Sequence, residues 1–235
     1  MIVRILGCGT STGVPRIGNE WGQCDPAEPR NRRLRSSILV SASDMRLLVD
    51  CGPDLRQQLL DADVGGRIDA LIVTHDHGDH VHGIDDLRPL AANAGAPVPL
   101  HARQDVIDGL AGRFAYAFAQ SDFYRPIVRG VPLGEEAAFG PIEVRTADQP
   151  HGTTSSLGLR FDHDGKSVGY AIDFSDFTPD MLALYEDVDV LVADCLTRQP
   201  HPTHAHLDGV LGWARDCRAG RLYLTHMGNG LDYAT

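Results

Sequence analysis

Thr74-His75-Asp76-His77-Gly78-Asp79-His80 packs three imidazoles and two carboxylates into one short stretch, directly after the apolar run Ala70-Leu71-Ile72-Val73. A run of that length, ending in a polar turn with a glycine, reads as a buried strand emptying into a loop. Neutral imidazole suits zinc, manganese and iron, while carboxylate oxygens prefer harder ions. A mixed set this dense points to two neighbouring ions. On a helix, His75 and His77 would face nearly opposite sides, so both can grip a metal only from an extended or looped backbone. The competing reading is a solvated, His-rich surface turn, but such turns seldom follow so apolar a run.

Around this stretch the chain reads as many short strands with helices spaced among them. Residues 2–6, 37–41 and 46–49 are strand-like, and Gly7, Gly9 and Gly13 punctuate the first turn. Pro53 is expected to open a helix over 54–60 from a permitted first-turn position. A strand at 69–73 feeds the histidine loop. A helix broken around Pro89 is expected over 84–93, a strand at 98–101, and one helix at 104–119 with Val106, Leu110, Phe114 and Phe118 on its core face. Strands follow near 127–131, 141–146, 157–162 and 167–172. A helix at 179–186, a strand at 188–193, a helix at 207–217 capped by Asp208, and a strand at 221–225 complete the order. Helices scattered among strands without strict alternation predict two sheets flanked by helices.

Four further apolar strands end at or near an Asp or His. His151 lies beyond the strand at 141–146, Asp173 ends 168–172, Asp194 ends 190–193 and His226 ends 222–225. One strand-end Asp or His is usually a cap. The repetition describes one rim collecting ligand-type side chains.

The chain has 235 residues, enough for one large domain over 1–235, and a formal charge of −11. An acidic surface repels the phosphate backbone, and counterion-release binding needs clustered Lys and Arg. The single cluster, Arg30, Arg32, Arg33 and Arg35, reads equally as a solvated loop and as a phosphate attractor. A small anionic substrate therefore fits better than a long polynucleotide. Five scattered cysteines argue for reduced thiols in a cytoplasmic protein. No stretch approaches a membrane span, and oligomeric state stays open, a homodimer included.

These residues together resemble the metallo-β-lactamase superfamily, in the branch with ribonuclease Z and the phosphodiesterase of the carbon–phosphorus lyase pathway. The resemblance runs from Leu6-Gly7-Cys8-Gly9-Thr10-Ser11-Thr12-Gly13-Val14-Pro15 through Leu48-Val49-Asp50 and the His-x-His-x-Asp-His loop. It continues with Pro150-His151-Gly152, Asp173, His201-Pro202-Thr203-His204-Ala205-His206 and Thr225-His226. It implies an α+β fold, the four-layer αββα sandwich, with its site between the sheets. It also implies two divalent ions, manganese or zinc: one held by His75, His77 and His151, the other by Asp79, His80 and His226, with Asp173 bridging.

Such a pair acidifies a bridging water for attack on a phosphodiester. Asp79 belongs to that catalytic machinery. By resemblance His204 is the candidate proton donor to the leaving group, with His206 in reserve. Asp50 is expected to orient a metal-binding loop, and Asp194 a histidine near His204. Arg88 reads as a surface ion pair, His163 as a hairpin residue and His101 as structural. Only Cys24 stands where relatives carry a cysteine cluster, so no structural zinc is expected. With its end at Tyr233-Ala234-Thr235, the chain is expected to lack the closing strand of relatives or to build that end differently. Rival functions are a tRNA-processing nuclease, a lactone or thioester hydrolase, and a non-hydrolytic cofactor-biosynthesis protein.

Overall fold

A computed structural model describes residues 1–121 and 123–234; Thr235, named above with the chain end, lies outside the described residues. Strands β1 (Ile2–Gly7), β2 (Ser37–Ala42), β3 (Met45–Val49), β4 (Ala70–Ile72), β5 (Val98–Ala102) and β6 (Val128–Pro132) form one six-stranded sheet in chain order. Strands β7 (Glu136–Phe139), β8 (Ile142–His151), β9 (Thr154–His163), β10 (Lys166–Ala171), β11 (Val190–Asp194) and β12 (Leu222–Thr225) form a second, also in chain order. Both sheets are mixed. β3 to β6 run parallel in the first, and β10 to β12 in the second.

The period-2 alternation of the strands creates the layers. In β2, Ile38 and Val40 turn toward the second sheet and meet Ile142, Leu159, Phe161 and Tyr170. Leu39, between them, joins Leu48, Leu71 and Leu100 on the opposite face. That face is covered by α1 (Leu55–Asp61), α2 (Gly78–Val81), α3 (Arg88–Ala94), α4 (Gln104–Arg113) and α5 (Ala115–Phe118). The second sheet's outer face packs Leu191 and Ala193 against α6 (Pro179–Tyr185) and α7 (Leu207–Asp216) through Met181, Tyr185, Val210 and Trp213. Helices, sheet, sheet and helices make the αββα sandwich expected from the sequence.

Local departures have physical causes. The helix expected over 104–119 is two, because Phe114 leaves helical geometry (φ −118°, ψ 42°) and sets its ring edge-on to His82. The break near Pro89 falls earlier: a 3₁₀ turn spans Ile84–Leu87, and Pro89 lies in the first turn of α3. Pro53 lies outside α1, whose N-cap is Asp54. The N-cap of α7 is His206, and Asp208 sits in the first turn. β8 continues to His151, so this histidine ends a strand instead of lying beyond one. Pro150 is tolerated because β7 flanks β8 only up to Arg145.

Two arginines of the cluster, Arg33 and Arg35, are committed internally, while Arg30 and Arg32 are exposed. Arg33, nearly inaccessible, donates to the carbonyls of Gly228 and Leu231, and Arg35 pairs with Asp54. Arg30 pairs with Glu28, and its guanidinium lies 4.0 Å over the Tyr233 ring. Among the described residues, no helix is long and apolar enough to cross a membrane.

Candidate metal centre

Parallel strands present their carboxyl ends at one rim, where ligands commonly bind in open α/β sheets. Here that rim gathers Asp50 after β3, the histidine loop after β4, Asp173 after β10, Asp194 at the end of β11 and His226 after β12. His151 arrives at the end of the hairpin strand β8. Asp50 (φ 62°), Asp173 (φ 48°) and His226 (φ 53°) all occupy left-handed backbone. Asp and His are among the few side chains that tolerate this region. The conformation turns each strand end abruptly at the rim.

His75 Nε2 and His151 Nε2 stand 3.1 and 3.3 Å from His77 Nδ1, and Asp173 Oδ2 is 3.4 Å from His75 Nε2 and 3.6 Å from His151 Nε2. On the other side, Asp79 Oδ2 is 3.2 Å from His80 Nε2 and 3.3 Å from His226 Nε2. Asp173 closes this group too, at 3.4 Å from His80 Nε2 and 3.2 Å from His226 Nε2. Two donors on one tetrahedral zinc stand about 3.3 Å apart, given Zn–N and Zn–O distances of about 2.0–2.2 Å. Both clusters therefore have the edge lengths of a coordination polyhedron, and they share Asp173. His80 Nε2 and Asp173 Oδ1 are buried with no hydrogen-bond partner. Native proteins rarely leave such atoms unpaired unless an ion or water belongs there. The donor set fits divalent metal.

On three of these histidines the opposite ring nitrogen is occupied. His80 Nδ1 lies 2.8 Å from Asp50 Oδ2, His75 Nδ1 3.1 Å from Thr74 Oγ1, and His151 Nδ1 2.9 Å from the Thr203 carbonyl. A proton held at Nδ1 leaves the Nε2 lone pair for the cleft. Asp50 also accepts from the Thr74 N–H and hydroxyl, tying β3 to the root of the histidine loop. The contributions of Thr74 and of the Thr203 carbonyl escaped the sequence reading. The adjacency of Thr74 to His75 was a signal for the first; a main-chain acceptor leaves none.

His204 lies at the cleft with Nδ1 2.9 Å from Asp194 Oδ2, its ring stacked on His226 at 4.9 Å. The second oxygen of Asp194 approaches His226 Nδ1 at 3.7 Å. His206 is not among the cleft-lining residues; it faces the first turn of α7. A cavity of about 250 Å³ opens over the centre, lined by Ser11, Gly152, Thr153, Thr154 and Thr203 besides the Asp and His side chains.

Electrostatics separates the groups. Burial opposes charge on His80, but Asp50 and Asp173 outweigh it and hold the imidazolium well above its usual range. Burial pushes His151 down to about 4 and lowers His75 and His204. Asp173 is buried, yet His226 and His80 hold it well below the carboxylate range. Burial raises Asp194 well above it. Burial also raises Cys8 and Cys51, so neither thiol offers a ready thiolate.

Residues outside the centre have structural partners. Arg88 pairs with Asp85 at the surface, His163 Nδ1 meets the Pro141 carbonyl, and His101 packs edge-on to Phe139. Cys24 Sγ approaches the Leu231 carbonyl.

A two-sheet sandwich with paired His/Asp clusters at its rim defines a class, and residues 45–227 match the beta-lactamase superfamily domain; the chain belongs to that superfamily. Within it, the chain is similar to PhnP-family and ribonuclease Z proteins. A diphosphatase from the PhnP family is 33% identical, with a TM-score of 0.86 over 97% of this chain and 87% of that one. The octanoyltransferase of Porphyromonas gingivalis is 30% identical over 209 residues, 87% of this chain and 41% of the relative. A ribonuclease Z from a Bradyrhizobium species is 32% identical over 138 residues, 57% of this chain and 46% of the relative. The chain spans less than half the length of these two curated relatives.

Proposed function

We propose that this chain is a dinuclear, metal-dependent phosphodiesterase acting on a small or cyclic phosphodiester. The observation that carries the reading is the joining of two donor clusters through one buried carboxylate, Asp173. His75, His77 and His151 would hold the first ion, and Asp79, His80 and His226 the second, with Asp173 between. Manganese and zinc both accept such a mixed nitrogen and oxygen set. Two divalent cations bound there supply an acidified water and polarise a phosphoryl oxygen.

The chain's own groups do the rest. Asp50 fixes the His80 ring, and Thr203 the His151 ring. Asp194 holds His204 at Nδ1, so Nε2 is the atom able to give a proton to the departing alkoxide. A phosphodiester anion entering the cleft favours the imidazolium form of His204, against the burial that lowers it. His206, turned onto α7, is the weaker candidate for this proton.

Size and charge favour a small substrate. None of the cleft-lining residues is Lys or Arg, so a single phosphodiester charge suits the cavity better than a polyanion. The commitment of Arg33 and Arg35 to internal partners also weighs against a tRNA-sized substrate. Lactone or thioester hydrolysis uses the same donor set and remains the competing chemistry.

The test is turnover of bis-p-nitrophenyl phosphate, a cyclic nucleotide, an alkyl phosphodiester and a lactone, with metal content measured alongside. Removing a general acid costs about 10²–10⁴-fold where the leaving group needs a proton. His204→Ala should therefore slow the alkyl diester by at least that lower figure and largely spare the nitrophenolate, which leaves unaided. Equal losses on both substrates would remove His204 from the role. Hydrolysis of the lactone alone would replace the phosphodiester reading.

A further inference from the structure

The turn that ends β8 holds more than His151. Gly152 sits at φ +59°, and a Cβ placed there would lie 3.1 Å from Thr203 Cγ2 and 3.8 Å from Thr203 Cβ. At 3.1 Å two carbons are well inside their optimal separation. The connection from β11 to α7 therefore rests against the bare main chain of Gly152. Its base is fastened elsewhere, by Leu196 N–H to the Ala205 carbonyl and Leu207 N–H to the Thr197 carbonyl. At the seat, the Thr203 carbonyl meets His151 Nδ1 at 2.9 Å, and the ring of the next residue, His204, lies 4.9 Å from the His151 ring.

We infer that Gly152 is a positioning residue: its missing side chain lets the 198–204 segment close onto His151, and that contact fixes the His151 ring and brings His204, itself held by Asp194, beside it. The inference rests on the metal-centre reading above. Gly152 acts through Thr203 and carries no chemistry itself. An added methyl would push Thr203 back, lengthen its bond to His151, and free the imidazole to rotate or change tautomer.

A double-mutant cycle separates this steric effect from backbone strain. Zinc affinity is measured by competition with a chromophoric chelator for the full chain, Gly152→Ala, Thr203→Ser and the pair. Losing the outer partner of a ligand histidine weakens metal binding by about 10–100-fold. Gly152→Ala should fall in that range in the Thr203 background. In the Thr203→Ser background it should cost less than about threefold, because serine keeps the carbonyl and lacks the clashing Cγ2. Alanine at positive φ is strained equally in both backgrounds, so equal losses overturn the inference.

Should Gly152→Ala fail to fold, Gly152→Asn brings the same Cβ with a residue that tolerates left-handed backbone. Wild-type zinc affinity in Gly152→Asn overturns the inference as well. A wild-type chain that takes up no zinc sinks the metal-centre reading, and the seat falls with it.

Discussion

Replacing Asp50 by asparagine tests the centre most directly, because Asp50 does not line the cleft and acts from behind His80 and the Thr74–His75 root of the histidine loop. Its carboxylate is fully buried and accepts from the Thr74 N–H at 2.8 Å, the Thr74 hydroxyl at 3.0 Å and His80 Nδ1 at 2.8 Å. Asparagine keeps the shape and one acceptor for Thr74, but turns an NH₂ toward His80 or toward the Thr74 hydroxyl. With the NH₂ against His80, the imidazole must present its lone pair at Nδ1 and carry its proton at Nε2. That is the atom facing Asp79 and Asp173, so the proton occupies the direction a metal needs. Outer-partner losses of this kind cost about 10–100-fold in metal affinity, or roughly 1.4–2.7 kcal/mol.

Asp50→Ala is harsher. It strands three buried donors at about 1–3 kcal/mol each, so a loss of at least about 3 kcal/mol of folding stability is expected. Zinc competition on refolded Asp50→Asn, with urea unfolding of the metal-free variants, measures both quantities. Asp50→Asn binding zinc within twofold of wild type would refute the tautomer argument. A stability loss under about 1 kcal/mol in Asp50→Ala would refute the donor count.

Other substitutions probe the surroundings. Asp194→Asn should lower turnover of an alkyl phosphodiester by roughly tenfold or more with little change in KM, sparing nitrophenyl substrates; a KM effect alone would deny its hold on His204. Tyr185→Phe removes a buried hydroxyl that donates to Gln149 Oε1 at 2.9 Å and meets the Tyr170 carbonyl at 3.0 Å. It should cost about 1–2 kcal/mol in urea unfolding and leave zinc affinity unchanged. Burial and then Arg129 lower the pKa of His101 in the folded chain, so the unfolded chain takes up that proton first as pH falls. The His101 contribution is thus intact above about pH 6.5 and is lost through the window below it. His101→Gln should lose less melting temperature than wild type between pH 7 and 5; identical slopes would contradict this.

Periodicity and chemistry made much of this molecule legible in the sequence. The run 70–73 and the histidine loop defined a strand and a donor set, and repeated strand-end Asp and His residues defined one rim. What escaped depended on weak or non-local signals. β7 is Glu-Ala-Ala-Phe, a strand with no β-branched residue to mark it. The break at Phe114 has no proline, and Gly112 two residues before it stays inside α4; a tertiary contact with His82 accompanies the break. The strand read as ending at 146 runs on to His151, because the flank that admits Pro150 without a strand neighbour appears only once β7 is placed. The Thr203 carbonyl on His151 is a main-chain atom, which no residue type announces.

The left-handed backbone at Asp50, Asp173 and His226 also limits how this protein can change. Ligand chemistry alone would accept Glu for Asp or Cys for His at such a centre. The main chain disfavours both, since positive φ is taken most readily by Gly, Asn, Asp and His. A randomised library sorted for folding alone, with no demand for catalysis, should already be depleted in Glu and Cys at these three positions. Conformational selection there would preserve the site's alphabet before any substrate is encountered.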